Sequence, residues 1–353
     1  MQRALRHALL GVVLTVLGLG ATYGTLVLAS AVPALVPGAG TGDVLRSAVE
    51  TGLPAVGILI LLVASVGVGY REQRRHGAIE DYRRFVTTVG VGGVATVCLA
   101  VLTATVLWGT DPIPPAYSVT MALATVVSVS LVACAAVLAG VTLARLPTGR
   151  RSDARFGRPL AVPVGAAVVV ALSGALDATT GLALATTNSV GLPAWLPQFG
   201  TVGMTVTVYS YVDGIASGLV LVGSGFALGI YAARRYGFDA SVRRFVVLVT
   251  VGVTVLPLAL AVVRVGGLWV GPVARGPLVV LALATFANAV VETGVVAVLA
   301  AVAGLGVAVF ERERAGDGPP ASSTTVETSA DHEAPVRDRE GNSKLSPTEE
   351  PSG

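Results

Sequence analysis

Eight stretches of this 353-residue chain run for about 20 residues or more with almost no charge, the length that carries a helix across the hydrocarbon core of a bilayer. They fall at about 9–31, 50–70, 86–108, 119–143, 160–186, 206–232, 245–264 and 279–308. Hydrocarbon offers backbone N–H and C=O groups no water, so such stretches must satisfy themselves internally as helices. Charged residues are 13% of the chain, about half the 25% of a soluble domain. Mean hydropathy is +0.77. The expected fold is an all-α integral membrane protein with eight transmembrane helices.

Charge orients these helices. Eighteen arginines fall on alternate connections: Arg3 and Arg6; Arg71, Arg74, Arg75, Arg83 and Arg84; Arg145, Arg150, Arg151, Arg155 and Arg158; Arg234, Arg235, Arg243 and Arg244; Arg312 and Arg314. The opposite side carries Arg46, Arg264 and Arg275. The positive-inside rule puts the dense side and both termini in the cytoplasm of a multi-pass cell-membrane protein. Trp108, Trp195 and Trp269 fall at the outer ends, where amphipathic rings favour the interface. The arginine pairs read as topology signals that also meet anionic headgroups. Residues 1–310 carry 19 basic and 11 acidic groups, and 311–353 carry 5 and 10. The overall basicity therefore gives no reason to expect nucleic acid as a partner.

The composition, rich in Ala, Val, Gly and Thr with a single lysine at Lys344, is similar to that of multi-spanning membrane proteins of haloarchaea. This resemblance of composition implies no activity. Cys98 and Cys134 form no CxxC, and His7, His76 and His332 read as lying outside the spans. No metal, haem, cofactor or histidine relay is expected. The opening MQRALRH with Ala29-Ser30-Ala31 has features of a signal peptide, but its apolar run is too long for one. Gly18, Gly20, Gly24 and the Gly90–Gly93 string lie within spans, where small residues let helices approach.

The chain also repeats itself. Pro33-Ala34-Leu35-Val36-Pro37 and Gly40-Thr41 recur as Pro193-Ala194-Trp195-Leu196-Pro197 and Gly200-Thr201. Arg74-Arg75, Gly77 and Arg83-Arg84-Phe85-Val86 recur as Arg234-Arg235, Gly237 and Arg243-Arg244-Phe245-Val246. Ala122-Leu123-Ala124-Thr125 recurs as Ala282-Leu283-Ala284-Thr285, all 160 residues apart. Fixed-period similarity of this kind marks an internal duplication. Four spans per copy is an even number, so the copies are expected as two parallel four-helix repeats about an axis along the membrane normal. The domains read as 1–150, 151–310 and an acidic, Pro- and Ser-rich tail at 311–353 too polar to fold alone.

Ionisable groups within spans are expensive and mark function. Asp177, Asp213, Glu292 and Arg264 qualify, all in the second copy, opposite Gly20, Leu53, Val132 and Ala104 of the first. At about 1.5 Å per residue they fall in the outer third of the bilayer. Asn288 lies four residues before Glu292, on one helical face with it, and Arg264 lies at the depth of Asp213. Together they outline an acidic vestibule suited to a small cation or polar solute. No catalytic set stands out. The expected function is non-enzymatic, a transporter or channel-like module for a small solute or cation. A membrane scaffold ranks second and a lipid-modifying enzyme third.

Overall fold

The computed structural model describes residues 2–35, 41–76, 82–107, 115–145, 160–190, 197–236, 242–268, 286 and 289–316. Trp108, Trp195, Trp269, Asn288, most of the arginine-rich connection after Arg145 and the chain beyond Gly316 lie outside these. Among the described residues there is no strand. The helices are α1 (Gln2–Leu35), α2 (Thr41–His76), α3 (Tyr82–Leu107), α4 (Pro115–Thr125), α5 (Val132–Arg145), α6 (Ala161–Val190), α7 (Val202–Tyr236), α8 (Val242–Leu268) and α9 (Val296–Gly316). One turn of π-helix, Val126–Leu131, joins α4 to α5, and a second, Val290–Val295, leads into α9. Seven stretches among these residues are long and apolar enough to cross a membrane; in α6 the apolar stretch found, Ala161–Leu176, is shorter.

These sequences are rich in valine and threonine, which a helix in water tolerates less well than leucine or alanine. In lipid the need to pair every backbone group overrides that preference. Threonine hydroxyls are satisfied by the same device throughout: Thr87, Thr96, Thr103, Thr120 and Thr254 each donate to the carbonyl four residues back. The Gly-Thr element of the repeated motif starts a helix. Gly200 takes a positive φ of 77°, and Thr201 Oγ1 accepts from the Met204 N–H at 3.3 Å, an N-cap for α7. Arg74, Arg75 and His76 end α2, and Arg234 and Arg235 end α7, where cations complement the carbonyl end of the helix dipole.

Residues Met1–Glu313 form one compact unit. Here α1 packs on α2 and α3, α2 on α5, α6 on α7 and α8, and α4 on α7. Lipid-facing positions are apolar and exposed, as at Val63, Val91, Leu102 and Val106. Among the described residues the most enclosed apolar windows lie within Pro115–Arg145 and Val290–Arg314, where 67% and 72% of the window is buried, so α5 and α9 form the centre.

The crossings run through glycine. A Cβ on Gly69 of α2 would overlap the Val137 carbonyl of α5, and one on Gly140 of α5 would overlap the Val66 carbonyl of α2. The same reciprocal contact joins α7 and α9 through Gly229 on Ala301 and Gly304 on Phe226. Gly92 of α3 lies on the Ala8 carbonyl of α1, and Gly252 of α8 lies on the Pro163 carbonyl of α6. At the centre, Gly306 of α9 meets the fully buried Thr142 of α5.

The two π turns lie 164 residues apart, and Ser128 and Glu292 are each the third residue of their turn.

Two glycines of α2 only two residues apart, and so on opposite faces of the helix, test the packing. Gly69→Ala should lower the thermal unfolding midpoint in detergent micelles, because overpacking of this kind costs about 1–3 kcal/mol. Gly67→Ala, with nothing within 4 Å of its Cβ, should be neutral or stabilising by up to about 1 kcal/mol. Equal behaviour of the two variants would contradict the crossing.

Candidate functional site

The densest polar cluster lies where α1 and α2 meet at their arginine-bearing ends. Glu72 is only 6% exposed. Arg6 Nη2 donates to its Oε2 at 2.8 Å. Two imidazoles face the other oxygen, His7 Nε2 at 3.5 Å and His76 Nε2 at 3.4 Å. The His7 ring also stands edge-on to Phe85 of α3, with centroids 4.7 Å apart. The sequence reading placed the histidines outside the spans. In the structure His7 is part of helix α1 and His76 is the last residue of α2. A carboxylate enclosed this way needs its cation, since an unpaired buried charge costs several kcal/mol.

The last helix is tied to its neighbours at the same level. Arg83 Nη2 meets Glu311 at 2.7 Å, and Arg145 pairs with Glu313. Arg312 donates to the Ala233 carbonyl at 2.8 Å. Arg145 also lies 4.7 Å from the Phe310 ring centroid. Glu311 and Glu313, assigned from sequence to a solvated tail, are thus working parts of α9.

Deeper in the fold, the first π turn packs against α1, α3 and α7, and the second against α2, α6 and α8. A π turn takes carbonyls out of the regular ladder and often occurs at functional sites. The second turn carries Glu292, half-buried. Beside it, a Cβ on Gly294 would stand 2.8 Å from Val253 Cγ1 of α8. Pro257 lies inside α8, and its missing N–H deprives the Val253 carbonyl of its usual donor. An acidic side chain and two backbone irregularities therefore share one level.

Of the residues singled out from sequence, Asp213 lies half-buried in α7 and Glu292 half-buried in the second π turn. Their elements share α6 as a neighbour. Asp177 lies in α6 and Arg264 in α8; their side chains, like all of Asn288, fall outside what the structure describes. Tyr117 of α4 and Tyr211 of α7, two residues from Asp213, meet edge to face at 5.7 Å, a pair the sequence reading missed. Cys98 and Cys134 are free thiols. Among the described residues no group of three metal-ligating side chains is placed to hold an ion.

No protein-family model, curated protein or solved structure matches this chain.

Replacing Glu72 with Gln removes the charge from the Arg6 contact. Charge-assisted hydrogen bonds are worth about 1.5–3 kcal/mol. Arg6 is 49% exposed, and solvent screening reduces that to about 1 kcal/mol. Glu72→Gln should therefore lower the unfolding midpoint modestly, with a smaller loss in molar salt where the wild-type pair is itself weakened. A salt-independent loss would contradict the ion-pair account.

Proposed function

We propose that this protein is a multi-pass, non-enzymatic permeation module for a small cation or polar solute, built from two parallel four-helix repeats with eight spans. The observation that carries this reading is the second π turn. It carries Glu292, half-buried, just before the enclosed part of a central helix, and beside an α8 helix interrupted by Pro257. Carboxylates at membrane depth are rare and mark ion or solute paths, and irregular backbone at that depth is found where it is buried in protein or lines a water-filled cavity. Asp213, with Asp177, Arg264 and Asn288 from the sequence pattern, would extend that path outward.

The repeat is supported by recurring contacts. The Gly69–Gly140 crossing reappears at Gly229–Gly304, Gly92 on Ala8 reappears as Gly252 on Pro163, and a π turn precedes each central helix. The meeting of Thr142 with Gly306, positions 164 apart, is what a pseudo-two-fold axis between copies produces. The 30-residue α6 supplies the eighth span. The arginine pattern supports a cell-membrane orientation with cytoplasmic termini. A scaffold is the second reading, favoured by the close Thr142–Gly306 contact at the centre of the bundle.

Proteoliposomes separate the two. With radiolabelled sodium, rubidium and choline as probes, the wild-type protein should raise uptake of at least one above that of protein-free vesicles. Glu292→Gln should cut that rate about tenfold or more, equivalent to about 1.4 kcal/mol. Asp213→Asn should cut it less, and neither should alter the elution of the folded protein. No uptake of any probe would favour the scaffold. Orientation is checked separately: a cysteine at position 342 in a Cys-free background should react with an impermeant maleimide in inside-out vesicles and not in intact cells.

A further inference from the structure

Among the described residues of the first half, five hydroxyl side chains are buried; Thr25 and Thr142 donate back along their own helices, and Thr15, Ser65 and Ser130 remain. Thr15 of α1 is 1% exposed, Ser65 of α2 is 0% and Ser130 of the first π turn is 3%. Two of them converge on Gly93 of α3. A Cβ there would stand 2.8 Å from Thr15 Oγ1 and 2.9 Å from Ser130 Oγ. Ser65 lies one turn along α2 from Leu61, which packs with Val129 and Ala133 around Ser130. Among the described residues, Ser65 Oγ and Ser130 Oγ have no hydrogen-bond partner. A buried hydroxyl left unpaired costs about 1–3 kcal/mol, and serines in helices usually avoid this by bonding back along their own helix. Here they do not.

The second half packs the equivalent place without polar groups. In the register set by the glycine crossings and π turns, Gly93 corresponds to Val253, Ser130 to Gly294, Ser65 to Gly225 and Thr15 to Val170. Val253 lies directly against Gly294. Apolar side chains therefore suffice for folding there, and the hydroxyls of the first half need another reason.

We infer that Thr15, Ser65 and Ser130, with carbonyls loosened by the first π turn, form a binding site for a single sodium ion. The oxygens are all neutral, so they can replace the hydration shell of a monovalent ion, whereas divalent ions take carboxylates. Thr15 Oγ1 and Ser130 Oγ meet beside one glycine, a narrow space that suits sodium better than the larger potassium ion. The ion would accept the lone pairs that lack donors. The binding argument stands apart from the transport reading, and only the choice of one variant uses the repeat register.

Sodium binding to the purified full-length protein in detergent is measured with the radiolabelled ion. The thermal midpoint is followed in sodium, potassium and choline chlorides at equal ionic strength. The wild type should bind sodium saturably, and sodium should raise its midpoint by several degrees over choline. Ser130→Ala should abolish both effects. If that variant fails to fold, Gly93→Val combined with Ser130→Gly and Thr15→Ala clears both hydroxyls from the new side chain and copies the Val253–Gly294 packing, and it should fold while losing the sodium response. The inference is overturned by equal midpoints in all three salts, which would mean buried water only. It is also overturned by a response selective for potassium, or by one that survives in the variants. Sodium binding without flux of any probe would count against the transport reading alone, and flux without sodium binding against this inference alone.

Discussion

Close approach of helix backbones, made possible by glycine, is what the rest of this structure depends on. In lipid no hydrophobic force draws helices together, because the solvent is as apolar as the side chains. What remains is van der Waals contact and weak polar contact, and both grow as backbones approach. The stacked pairs at Gly69 and Gly140, and at Gly229 and Gly304, bring carbonyl oxygens to where a methyl group would otherwise sit. Carbonyls beside α-carbons at that range also allow Cα–H···O contacts. The position of each π turn follows from these anchors, since the turn lies just before the crossing on the same central helix.

That arrangement explains why polarity sits where it does. The helices between crossings are apolar and lipid-facing, so nothing polar is gained there. At the arginine-bearing ends, water and headgroups are near, and ion pairs such as Arg83–Glu311 hold α9 against its neighbours at small individual value. Glu72 differs because α1 and α2 enclose it. Its partners Arg6 and His7 lie on one helix and His76 on the other, so the cluster fixes the rotation of α1 against α2 as no exposed pair would.

Much of this was legible in the chain because bilayer thickness imposes a length and lipid imposes a helix. Apolar runs and arginine pairs located the apolar middles of the described helices, while α1 and α2 begin seven and nine residues before the runs read for them. The Glu72 cluster was not legible, since His7 and Glu72 are far apart in sequence and each looked like the end of a span. The one available hint was that Glu72 interrupts an otherwise basic helix end. The two π turns were not legible for a different reason: a π turn adds a residue to the helical turn without any sequence signature. Asp213 and Glu292 were found because a carboxylate in an apolar run stands out regardless of fold.

The central contact shows what tandem fusion permits under the repeat reading. A residue on a two-fold axis meets its own copy, so in a dimer of identical chains both partners must be the same. Two threonines at the 142 and 306 positions would collide, given that even one Cβ on Gly306 overlaps Thr142. Two glycines would fit but would leave no hydroxyl at the axis and less surface in contact. One chain carrying both copies can place threonine on one side and glycine on the other, and Thr142 keeps its hydroxyl satisfied by donating to Leu138. The same freedom lets Gly93 and Ser130 differ from Val253 and Gly294, so that one half keeps polar groups where the other packs valine. Separation of roles between halves then needs no change of fold, only complementary exchanges of large and small residues at positions the crossings already hold fixed.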